Sequence, residues 1–171
     1  IANNDASIYT EGVADYVRYL DIEEGIAGVE FKNANGTKQV RKYFSSAPDQ
    51  VIAGQYKSEG EDKMNLVFSL EPGSGINASK VTYEDGMAYF TGAMTVKYAA
   101  RLHVVADDDA VVTATNSGIK VENATEVTFY LKGATNFDGG VNSTSYFTSD
   151  DEAAVNASVK TAIETAADKG F

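Results

Sequence analysis

The chain has 171 residues, enough for one domain with a buried core, and 43% of them are apolar. It carries 14 Lys+Arg against 25 Asp+Glu, a net charge of −11, which argues against nucleic acid and against an anionic membrane surface as partners. The absence of cysteine excludes disulfides, thiolate metal sites and cysteine nucleophiles, and a single histidine excludes multi-histidine metal sites.

Most of the chain reads in period two, the repeat of a strand with one buried face. Residues 16–22 are rich in β formers. Ala27, Val29 and Phe31 then alternate with Gly28 and Glu30. Asn35-Gly36 is a strong hairpin signal, and the return strand from Thr37 to Ser45 sets Val40 and Phe44 on one face. Ala47-Pro48-Asp49-Gln50 predicts a tight turn, with Pro48 presetting φ. A strand at 51–56 and a charged turn at 57–63 follow. Met64, Leu66, Phe68 and Leu70 alternate cleanly. Lys80–Tyr83 and Met87–Phe90 form a hairpin around Glu84-Asp85-Gly86. Tyr98–Ala106 is a strand closed by an Asp107-Asp108-Asp109 turn. Residues 111–115 and 119–122 make a short hairpin, and Val127, Phe129 and Leu131 alternate in the last strand.

After Tyr146 the period changes. Ser149 and Glu152 have capping-box spacing. Val155, Val159, Ile163 and Ala166 share one helical face, and Lys169-Gly170 supplies a stop. The domain is therefore expected to be all-β: an antiparallel β-sandwich of about ten or more strands over residues 16–147, with one C-terminal helix over 149–169. The helix is alanine-rich, so its shallow face is expected to pack closely on a sheet or on something outside the chain.

Chemistry-bearing residues are sparse. His103 sits between core positions with no nucleophile or orienting carboxylate placed beside it, so it reads as a strand histidine. Carboxylates gather at Glu23-Glu24, Glu59 to Asp62, Asp107 to Asp109 and Asp150 to Glu152. Glycosidase chemistry needs two carboxyls facing one bond, which neighbours in solvated turns rarely supply, and Asp107–Asp109 lacks the spacing of a calcium loop. Ten tyrosines could stack on sugars, but in a β-rich chain they read first as strand formers. The loop at Asn136, Phe137 and Asp138, continuing into Gly139-Gly140, is the most irregular, and its side chains are the candidate ligand-proximal or interface residues. No catalytic residue, cofactor or metal is expected. Five Asn lie in Asn-x-Ser/Thr: Asn35, Asn77, Asn123, Asn142 and Asn156. They would accept glycans only in a eukaryotic secreted protein, and otherwise read as a Ser/Thr/Asn-rich surface.

Taken together, residues 16–31 (Tyr-Val-Arg-Tyr-Leu-Asp-Ile-Glu-Glu-Gly-Ile-Ala-Gly-Val-Glu-Phe) and residues 41–52 (Arg-Lys-Tyr-Phe-Ser-Ser-Ala-Pro-Asp-Gln-Val-Ile) resemble the N-terminal β-domain of glycoside hydrolase family 95, the α-L-fucosidases. Tyr98–Val105, Val127–Leu131, Gly133–Phe137 and Asp168–Phe171 extend the resemblance. It implies a supersandwich-type β-domain of an inverting exo-glycosidase that removes terminal α-L-fucosyl or α-L-galactosyl residues. The family's catalytic residues lie in a downstream helical barrel, so none is carried onto this chain. The resemblance also lacks the family's glycine-rich opening segment.

The expectation is thus an accessory domain cut from a longer hydrolase. Its partners would be the catalytic barrel of the same polypeptide and, through the parent, a glycan. The chain opens without Met and without a signal-like segment, as a processed or excised piece would. It has no stretch that would insert in a membrane, and the parent is expected outside the cytoplasm. The alternatives are a free-standing carbohydrate-binding or cell-surface β-sandwich, and a module that binds another protein.

Overall fold

A computed structural model describes residues 2–3, 12–75, 77–139, 146–148 and 151–171. Within them, period-two patterning becomes twelve strands in two antiparallel sheets. They are β1 (Ala2–Asn3), β2 (Ala14–Asp21), β3 (Ile26–Lys32), β4 (Lys38–Ser46), β5 (Val51–Glu59), β6 (Met64–Phe68), β7 (Thr82–Glu84), β8 (Met87–Ala93), β9 (Lys97–Ala106), β10 (Val111–Ala114), β11 (Ile119–Ala124) and β12 (Glu126–Thr135). The large sheet runs β2-β3-β4-β5-β12-β9-β8-β7, and the small one β1-β6-β11-β10. One helix, α1 (Glu152–Lys169), follows.

The expected all-β sandwich with a terminal helix is what forms. The turns explain its hairpins. Asp85 and Gly86 both have positive φ, 45° and 73°, the pair of angles of a two-residue hairpin whose twist matches its strands. In the β4–β5 turn, Ser46 and Asp49 bond side chain to side chain at 2.7 Å.

The centre of the large sheet, around β5, β12 and β9, is covered on both faces by different partners, while the edge strand β2 stays largely exposed. On one face Tyr56, Leu102, Val104, Val127 and Phe129 meet Met64, Leu66, Phe68, Ile119 and Val121 of the small sheet. The ring of Phe68 on the small sheet lies 5.8 Å from that of Phe129 and 6.3 Å from that of Tyr56 on the large one, so aromatic contacts join the two sheets. On the other face Val51, Ala53, Ala99 and Tyr130 meet Val155, Val159, Ile163 and Ala166 of α1. These four are the helical face anticipated from the spacing, and burying each Val or Ile is worth about 1.5–3 kcal/mol.

Three expectations need correction. The Val127–Leu131 segment is not half-buried: Val127 to Tyr130 are all buried, because the small sheet covers one face and α1 the other. The helix begins at Glu152 rather than 149. Asp151 is its N-cap and accepts from Ala153 N–H at 2.8 Å, so a Ser149–Glu152 capping box would start the helix too early; Ser149 itself lies outside the described residues. The charged turn after β5 is shorter than 57–63, since Lys57, Ser58 and Glu59 still pair with Val40, Gln39 and Lys38. The pairing of β1 with β6 has no signal in a two-residue segment. Among the described residues no helix is long and apolar enough to cross a membrane.

Candidate functional site

The loop after β12 is held as a small folded unit. Asn136 has no exposed surface. Its Oδ1 accepts from Lys97 N–H at 2.9 Å, while its own N–H donates to the Lys97 carbonyl at 3.0 Å. Its carbonyl accepts from Thr148 N–H at 2.8 Å. One buried amide therefore ties the end of β12 to the start of β9 and to the returning chain. Asn136 is a structural clasp, and the sequence carried no signal for that role. Phe137 and Asp138 are exposed. Phe137 bridges to Phe147 with ring centroids 6.3 Å apart, and Asp138 N–H donates to the Tyr146 carbonyl at 3.1 Å. The loop thus presents the rings of Phe137 and Tyr146 to solvent on a fixed base. Gly140 of the candidate loop and the sequon residue Asn142 lie outside the described residues.

The carboxylate clusters do local work. Asp21 caps its turn by accepting from the N–H groups of Glu23 and Glu24 at 3.0 and 3.1 Å. Asp62 accepts from the side-chain amides of Asn33 and Asn35. Bonds from Asn33, Thr37 and Asn35 hold its carboxyl below the usual carboxylate range. Asp107 Oδ2 accepts from the N–H groups of Thr125 and Glu126 at 2.5 and 2.7 Å, and from the Thr125 hydroxyl. Burial alone would raise its pKa; the bonds from Thr125 and Glu126 outweigh that and lower it. Among the described residues no three His, Asp or Glu side chains gather to hold a metal ion.

His103 lies on the α1 face of β9, beside Met87 and Tyr130 in register. Its Nδ1 is buried with no hydrogen-bond partner among the described residues. Burial pushes its pKa below the ordinary value, with Glu164 opposing and Arg101 adding to the shift. Two residues away, Arg101 is buried on the same face; its guanidinium lies on the Tyr89 ring and donates to Asn156 Oδ1 at 3.2 Å. Sequence reading passed over Arg101, although an arginine on a strand with two apolar faces is a recognisable signal.

The tyrosines divide by environment. Tyr56 and Tyr130 are core, and Tyr43 Oη meets Tyr56 Oη at 3.1 Å. Tyr16 and Tyr146 are exposed.

The fold is a helix-backed antiparallel β-sandwich whose described carboxylates mainly brace turns and a cap. Comparison with known proteins gives that architecture a family. The model of "Glycosyl hydrolase family 65, N-terminal domain" matches residues 5–140, and the chain belongs to that family. No curated protein matches the chain. Among solved structures, the "Heparinase III-BT4657 gene product" is distantly similar, with a TM-score of 0.39 and 13% identity over 70% of this chain. This chain spans only 21% of the length of that one.

Proposed function

We propose that this chain is the non-catalytic N-terminal accessory domain of an α-L-fucosidase-like glycoside hydrolase, whose parent protein removes terminal α-L-fucosyl or α-L-galactosyl residues. The family match over residues 5–140 supports a glycoside hydrolase parent. The family 95 resemblance supports the finer reading. Its two densest motifs, residues 16–31 and 41–52, fall on four consecutive strands, β2 to β5. In this reading the domain braces a catalytic barrel further along the polypeptide and acts outside the cytoplasm.

The test is hydrolysis by the protein that carries this domain. Release of L-fucose or L-galactose from α-linked glycans supports the reading. Release of a different sugar, with neither L-sugar released, overturns the fucosidase assignment while keeping the hydrolase class. Glycan binding by a parent without any hydrolysis would favour the free-standing carbohydrate-binding alternative.

A further inference from the structure

Of the chain's three arginines, Arg101 is buried beneath α1. The other two share one face of the large sheet. Arg18 pairs with Val29, and Val29 pairs with Arg41. Directly paired residues point to the same side of a sheet. Neighbouring strands lie ~4.8 Å apart, so the two arginine Cα atoms are about 10 Å apart with Val29 between them. Arg41 in turn pairs with Tyr56, which fixes this as the side that meets the small sheet. Toward the β2 edge that side stays open: Leu20, two residues from Arg18 and on the same side, is 68% exposed, and its partner Ala27 is exposed as well.

Charge is sorted between the two faces of β2 to β5. Strand alternation puts Glu30, Lys32, Lys38, Lys42, Lys57 and Glu59 on the opposite face, where Lys38 bridges Glu30 and Glu59, and Lys57 bridges Glu126. Asp21 points the same way through its partner Ile26, and Asp15 bridges Lys32. No carboxylate of these four strands shares the arginine face. In a chain with 25 Asp+Glu, neither Arg18 nor Arg41 has an ion pair or a side-chain hydrogen bond among the described residues. Arg41 is held by rings instead, its guanidinium carbon 5.3 Å from the ring centroid of Phe31 and 5.0 Å from that of Tyr56. Ring contacts leave the in-plane N–H donors open, and these reach solvent. Leu20 and the half-buried Val29 and Tyr43 make an apolar floor beside them. Two unpaired planar forks over such a floor suit a carboxylate or sulfate carried on a ring with apolar faces. Resting on the glycoside-hydrolase family placement and not on the fucosidase reading, we propose that Arg18 and Arg41 bind the acidic group of an anionic oligosaccharide on this face.

Calorimetric titration of the whole parent protein tests this. The probes are oligogalacturonate for a carboxylate, a sulfated galactan oligosaccharide for a sulfate, cellopentaose as a neutral sugar and oligoglutamate as an acidic peptide. At least one acidic sugar should bind, the tighter of the two showing which anion the pair takes. Each arginine supplies charge-assisted hydrogen bonds, so Arg18→Gln and Arg41→Gln should each weaken that binding about tenfold. Lys42→Gln removes a charge of the same sign beside Arg41 but on the other face, and should leave binding unchanged. Arg18 is exposed, so its variant reports on binding even where loss of the Arg41 ring contacts weakens the fold. No binding of either acidic sugar, binding unchanged in either arginine variant, or an equal loss in Lys42→Gln overturns the proposal. Cellopentaose bound as tightly removes the role of charge, and oligoglutamate bound as tightly removes the choice of a sugar; either result overturns it too. The sugar that the parent releases is measured separately. A different one removes the fucosidase reading and leaves this result standing, while failed binding here leaves that reading untouched.

Discussion

Arg101 lies across the ring of Tyr89, its guanidinium carbon 4.1 Å from the ring centroid, and the two are direct register partners on β9 and β8. Arg101 is 4% exposed, yet no described carboxylate forms an ion pair with it. The ring, Asn156 Oδ1 and Met87 Sδ are its described partners, and burial pushes its pKa down. Arg101→Ala should cost about 2–4 kcal/mol, from a desolvated cation–π contact and hydrogen bonds to a charged donor. Arg101→Lys should not rescue it, because an ammonium cannot both stack and reach Asn156. Urea unfolding of the three proteins measures this, and a double-mutant cycle with Tyr89→Leu should return a favourable coupling.

His103 predicts a pH dependence with a definite sign. Its folded pKa lies below the usual value because the ring is buried. An unfolded histidine takes up its proton near pH ~6.5, and the folded one only at lower pH. The unfolded state then binds more protons, so stability is full above that range and falls as the solution is acidified through it. Urea midpoints at pH 7, 6 and 5 should decline, and His103→Gln should flatten the decline. An identical slope in the variant would assign the effect to other groups.

Asp107 joins the β9 end to the segment entering β12. Asp107→Ala leaves the N–H groups of Thr125 and Glu126 without their acceptor. Losing an acceptor from part-buried donors costs about 1–3 kcal/mol. Because the folded pKa is depressed, this support persists above the ordinary carboxylate range and is lost as pH falls through the folded pKa. Thermal melts at pH 7 should show the loss, and melts near pH 2 should bring variant and parent closer together.

Gly54 sits in the middle of β5 because nothing larger fits. A Cβ there would lie 2.4 Å from Cε1 and Cζ of Phe129 and 3.0 Å from Cδ1 of Tyr43. Gly54→Ala should therefore destabilise by about 1–3 kcal/mol through overpacking. Phe129→Leu in the same chain should return part of that loss, a pattern that chemical denaturation of the single and double variants resolves.

The helix shows how local information carries through. Val155, Val159, Ile163 and Ala166 were legible as one face because a helix repeats every 3.6 residues whatever it packs on. The start of α1 was not: Ser149, Asp150 and Asp151 can all cap, and the backbone angles at Asp151, φ −97° and ψ 109°, decided among them. For the loop at Asn136–Asp138, sequence reading gave the three residues one role. Packing divided them, with Asn136 buried as a clasp and Phe137 and Asp138 left outside.

By itself the sequence determined the strand and helix periods, the turns at Asn35-Gly36, Pro48 and Asp85-Gly86, and the all-β class, since these depend on backbone sterics and on neighbours a few residues apart. Only the tertiary structure decided that β12 is central and buried on both faces, and that Arg101 stacks on Tyr89 beneath α1. Those outcomes rest on contacts between residues far apart in the chain, such as Gln55 with Glu126 and Lys169 with Asp49, which sheet order and register bring together and no local pattern encodes.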